Sequence, residues 1–91
     1  MTAARKQANS TLESPTEILR AATRLMPATA SCTVIAERGI GGTTDFMRFL
    51  SAMIADVLAN RIDVKDARRL NAAAGKVLRI FEKEMKEAAR A

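Results

Sequence analysis

The chain contains no histidine, tryptophan or tyrosine, and its three aromatic residues are all phenylalanine. Without histidine the commonest general base is missing, and a non-enzymatic protein with no catalytic residue and no cofactor is expected. The single cysteine, Cys32, has no partner for an internal disulfide and no imidazole to activate it. It reads as a small, partly buried side chain in a reduced cytoplasmic setting. Oxygen donors alone would have to hold a metal, and no calcium-loop spacing occurs, so no metal site is expected. Asp63 and Asp66 are better explained as helix-start residues than as an acid–base pair. No apolar run approaches the roughly 20 residues that span a bilayer. Arg5 and Lys6 are not followed by an apolar stretch of the secretory kind. A soluble protein is expected.

Ninety-one residues allow one small domain. Hydrophobic residues make up 48% of them, too many for disorder by composition. With so few aromatics the core must be built from Leu, Ile, Val, Met and Ala, which favours helices. Fifteen Lys and Arg outweigh ten Asp and Glu, a balance that points towards a polyanionic partner and says nothing of fold.

The pattern divides into a tail, 1–13, and a helical domain, 14–91. Ser14-Pro15-Thr16-Glu17 supplies an N-cap, a proline at the first helical position and an acid three residues on. A helix over about 15–26 follows, with Ile18, Leu19, Ala22, Leu25 and Met26 inward and Pro27 as its stop. Residues 27–44 are expected to be an irregular, glycine-rich linker. Within them Thr33-Val34-Ile35 fits a short strand or a continuing helix. A ribbon–helix–helix arrangement would place that strand directly before two helices, but GIGGTTD intervenes.

The chain is organised around the next helix, about 45–60. At about 100° per residue, Phe46, Leu50, Met53, Ile54 and Val57 form an apolar arc, edged by Phe49, Met47 and Leu58. The other side carries Ser51, Ala52, Ala55 and Ala59, with Arg48 and Asp56 as interior charges. Such a helix suits burial on two sides. Asn60-Arg61-Ile62-Asp63 reads as a tight turn in which Asp63 caps the last helix, about 64–89. Ala67, Leu70, Ala74, Val77, Leu78, Phe81, Met85 and Ala88 give that helix a heptad-like seam. The two should form an antiparallel αα-hairpin. DVLANRIDVKDARRLNAAAGKVLRIFEKEMK resembles short uncharacterised helical-hairpin proteins of bacteria and bacteriophages. That resemblance implies no activity and places the chain in a bacterial or phage cytoplasm.

A hairpin with one short docked helix buries little for the entropy that it must offset. An all-α homodimer or higher oligomer, completed as a helical bundle, is therefore expected. Phe46, Leu50, Met53, Ile54, Val57, Leu70, Val77 and Phe81 would form its core or subunit interface.

Two features bear on function. Lys65, Arg68, Arg69, Lys76, Arg79, Lys83, Lys86 and Arg90 fall within roughly 100° of arc on the last helix, opposite the apolar seam. Solvated helix faces usually interleave both signs, so the stripe reads as a surface for DNA or RNA phosphates, without stacking aromatics. The alternative is an adaptor or phage-type inhibitor that docks the same face on an acidic protein. Gly39, Gly41, Gly42, Thr43 and Thr44 lead into the central helix and offer a second alternative, an anion or nucleotide loop at a subunit interface. Their spacing matches no phosphate-binding fingerprint, and Asp45 would repel an anion there. Capping by Thr43 or Thr44 is the plainer expectation.

Overall fold

The computed structural model describes residues 14–90, and the expected tail lies outside them. Among the described residues the chain is all-α, with four helices and no strand. They are α1 (Pro15–Thr23), α2 (Ser31–Arg38), α3 (Thr43–Leu58) and α4 (Val64–Arg90). Each helix touches two others, closing a ring in the order α1, α2, α3, α4. The most extensive pairings are α2 with α3 and α1 with α4, while α3 with α4, the expected hairpin, is the least extensive.

The difference comes from the segment expected to be a linker. Residues 31–38 are helical, not a strand, and α2 covers the side of α3 that bears Ala52 and Asp56. Its inward residues Cys32 and Ala36 are small and fully buried, as is Ala30 just before it. Small side chains let two helices approach closely. The first helix accordingly lies against α2 and α4, and not against α3.

Local chemistry sets the boundaries. Ser14 caps α1: its Oγ accepts from the Glu17 amide at 3.2 Å and donates to Glu17 Oε1 at 3.1 Å. α1 ends at Thr23 rather than Met26, because the chain tightens into i→i+3 bonds there. The Arg24 amide donates to Ala21 O, and the Met26 amide to Thr23 O. Such bonds satisfy carbonyls left over at a helix end. Leu25, expected inward, is thereby turned out and is 81% exposed. Gly39 closes α2 at φ 105°, a left-handed conformation that glycine adopts at little cost. At the start of α3 the N-cap is Gly42, with no side-chain cap bond. Thr43 and Thr44 lie inside the helix, and the expected threonine cap is not formed.

The α3–α4 turn is a Schellman motif. Asn60 sits at φ 60°, the Asn60 amide donates to Val57 O, and the Arg61 amide donates to Asp56 O at 2.8 Å. Asparagine tolerates this conformation better than most side chains do. Asp63 then caps α4 by accepting from the Asp66 amide at 2.9 Å.

The core lies inside the ring. Leu19, Phe49, Leu70 and Val77 are fully buried, and Phe46 and Phe81 pack with ring centroids 5.6 Å apart. Met53 is buried, Leu50 and Val57 are half-buried, and Ile54 is 56% exposed. Ile54 therefore lies outside the core of a single copy. Leu78 and Met85, expected in the seam, are also half-exposed or more, whereas Ala73 is buried. Burial is centred on Leu70, Val77 and Phe81 because α1 occupies the Ala73 side of α4.

Candidate functional site

A buried polar network fixes how α4 is presented. Asp56 is fully buried, and its carboxylate caps a helix 24 residues away. It accepts from the Ser31 amide at 3.0 Å, the Cys32 amide at 2.9 Å and Arg61 Nε at 2.6 Å. Ala30 has no side chain to cap α2 itself, so Asp56 supplies both the acceptors and the negative charge that the helix start favours. Burial alone would raise the Asp56 carboxyl, but the Cys32 amide and the Arg61 guanidinium outweigh it and hold the pKa down to about 2. Burial, and then the neighbouring Asp56 charge, push the Cys32 thiol up to about 12, which leaves it protonated and unreactive.

The other end of α2 is held from α1. Arg20 donates from Nε to Ala36 O at 3.1 Å and from Nη2 to Glu37 O at 2.7 Å. Thr16 Oγ1 accepts from the Ile40 amide at 2.8 Å and donates to Ile40 O at 3.3 Å. An acid at the N-terminus and a base at the C-terminus thus complement the dipole of an eight-residue helix that is too short to persist alone. None of these four side chains was expected to be structural. The one sequence signal was Asp56 itself, seven residues after Phe49 and so on the same buried line.

On that scaffold Lys65, Arg68, Arg69, Lys76, Arg79, Lys83 and Lys86 are all exposed. Arg90 closes the helix, but its side chain lies outside those described. Among the described residues the only ion pair is Arg61–Asp56, so none of Glu82, Glu84 and Glu87 makes a close ion pair with a described cation of the stripe. From Lys65 to Lys86 it runs about 30 Å at the helical rise. No neighbouring helix covers this side, and α4 from Glu82 to Ala89 is exposed all round.

Two surface hollows lie between helices. One, of about 330 Å³, lies between α1 and α4 and is lined by Ile18, Ala21, Ala22, Arg69, Ala72, Ala73 and Lys76. It joins the basic stripe to a floor of alanines. The other, of about 470 Å³, lies between α2 and α3 and is lined by Ile35, Thr44, Met47, Arg48 and Ser51. Of the glycine loop, Gly39 closes α2, the Gly41 amide donates to Asp45 Oδ2 at 2.8 Å, and Gly42 caps α3. The carboxylate already stands where an incoming anion would have to bind.

No family model, curated protein or solved structure matches this chain. Its function has to be read from its own residues. Among the described residues no three His, Cys, Asp or Glu side chains cluster as a metal site would need, and no helix is long and apolar enough to cross a membrane.

Proposed function

We propose that this is a small non-enzymatic, self-associating protein that binds nucleic acid through the basic side of α4. The observation that carries this reading is the row of seven exposed cations on one helix face, none of them paired with an acid. Like charges in a row repel and cost the helix stability. A phosphate backbone offsets that cost by replacing small counterions, whose release drives binding. The row extends about 30 Å, close to one turn of duplex. Without aromatic residues on it, contact is to the backbone and only weakly dependent on sequence.

Purification offers an inexpensive test. With neither Trp nor Tyr the protein has almost no absorbance at 280 nm. Absorbance near 260 nm that is removed by nuclease or high salt supports the reading. A nucleotide-free preparation that shifts neither DNA nor RNA at low salt overturns it. An acidic protein partner, as an adaptor or inhibitor would have, is the second reading. It is favoured by the alanine-floored hollow beside Arg69 and Lys76, which suits an apolar side chain flanked by carboxylates.

A further inference from the structure

The hollow of about 330 Å³ between α1 and α4 brings together a recess, an apolar floor and two cations. Its lining is apolar apart from Arg69 and Lys76. These are seven residues apart, which puts them on one line of α4 about 10.5 Å long. Ala72 and Ala73 lie between them, one on each side of that line, and Ala21 and Ala22 of α1 form the opposite wall. Ala21 and Ala72 are exposed, so the floor is reached from solvent. Each end of it carries a positive charge.

The surroundings have the same sign in excess. Within one helical turn of the lining the chain carries Arg24, Lys65, Arg68 and Arg79, against two acids, Glu17 and Asp66. Glu17 is already engaged by Ser14, whose Oγ donates to it at 3.1 Å. A phosphate backbone would meet Arg69 and Lys76 through charge and gain nothing from methyl groups between them. A protein helix uses both. Laid in a groove, an amphipathic helix inserts an apolar anchor. Carboxylates four residues before and three after that anchor lie on one side of it, about 10.5 Å apart. That is the spacing of Arg69 and Lys76 along α4.

We propose that the α1–α4 hollow docks an acidic amphipathic helix of a partner protein. Its apolar anchor rests on the alanine floor, and its carboxylates meet Arg69 and Lys76. Complementary charge selects the sign of the partner and speeds its arrival, while the anchor fixes its register. Both cations also belong to the basic stripe, so the docked helix excludes nucleic acid from that part of α4. The exclusion rests on the nucleic-acid reading of the stripe, whereas the docking does not.

Fluorescence anisotropy on the full chain tests this, with circular dichroism as the check on folding. The probe is a labelled helical peptide of alanine and glutamine with one leucine, and with glutamates four residues before and three after it. It binds the wild type, and the same peptide with alanine in place of leucine binds at least about tenfold more weakly. Ala21→Gln fills the hollow from α1 and leaves the stripe untouched. It weakens peptide binding at least about fivefold and leaves duplex DNA binding unchanged, with helicity kept. Lys76→Ala weakens both, and unlabelled peptide displaces the duplex. Equal binding of the two peptides, no binding of either, or a peptide indifferent to Ala21→Gln overturns the proposal. So does Ala21→Gln weakening duplex and peptide alike, which would make the hollow part of the nucleic-acid surface. A peptide that docks as expected on a protein that binds no duplex leaves the docking standing and overturns the nucleic-acid reading.

Discussion

The carboxylate of Asp56 on α3 accepts the backbone amide of Cys32 at the start of α2, 2.9 Å away and 24 residues earlier in the chain. This contact ties the third helix to the second, and the second is in turn clamped to the first by Arg20 and Thr16. α4 packs against the α1 side of that assembly with its cations outward. The basic surface therefore depends on a polar network that none of its own residues joins.

Asp56→Ala removes the acceptor for two helix-start amides and leaves Arg61 unpaired. It should destabilise the protein by about 3–5 kcal/mol, chiefly through the loss of two backbone hydrogen bonds to a charged acceptor. Arg61→Ala leaves the fully buried Asp56 carboxylate with only its two amide donors, and should cost about 1–3 kcal/mol. Urea unfolding of the two variants measures the difference. Equal losses would mean that the ion pair, and not the helix cap, is what Asp56 contributes.

Acid should act through the same residue. The Asp56 carboxyl is held at about 2, below its ordinary 3.8. A depressed carboxyl stabilises the fold fully above its unfolded pKa and loses that contribution as pH falls through the folded one. Between about pH 4 and pH 2 the protein should lose roughly 2–3 kcal/mol from this group. In Asp56→Asn that component of the pH dependence should vanish. Thermal unfolding across the acid range reads it directly.

Arg20 closes the opposite end of α2 with a two-pronged contact to Ala36 O and Glu37 O. Arg20→Ala should cost about 1–3 kcal/mol, the usual value for hydrogen bonds from a charged group. Arg20→Lys should recover only part of it, since an ammonium cannot bridge two carbonyls in the fixed geometry of a guanidinium. Full recovery by lysine would reduce the contact to simple charge–dipole attraction.

The helical class, the Ser14 and Asp63 caps and the outward basic side of α4 were all legible in the sequence, because each rests on local spacing. The segment around α2 was not. Its helix has eight residues and no cap of its own, and what stabilises it arrives from Asp56, Arg20 and Thr16, which are remote in sequence. The turn at Asn60–Asp63 was recognisable from composition. The use of Arg61 in it, against the carboxylate that ends the previous helix, was not. Ile54 and Leu58 fit the apolar period of α3, but periodicity does not separate a core residue from an exposed one. The α4 stripe was visible residue by residue, and the structure adds that none of its described members is paired with an acid.

The salt dependence of nucleic-acid binding tests the central claim most directly. Dissociation constants for a short duplex would be measured across a range of salt concentrations, for the wild type and for Lys76→Ala/Arg79→Ala. If these side chains neutralise phosphates, the double variant binds more weakly and its log–log slope becomes shallower by about 0.9 for each lost contact. An unchanged slope would show that the basic side of α4 is not the contact surface.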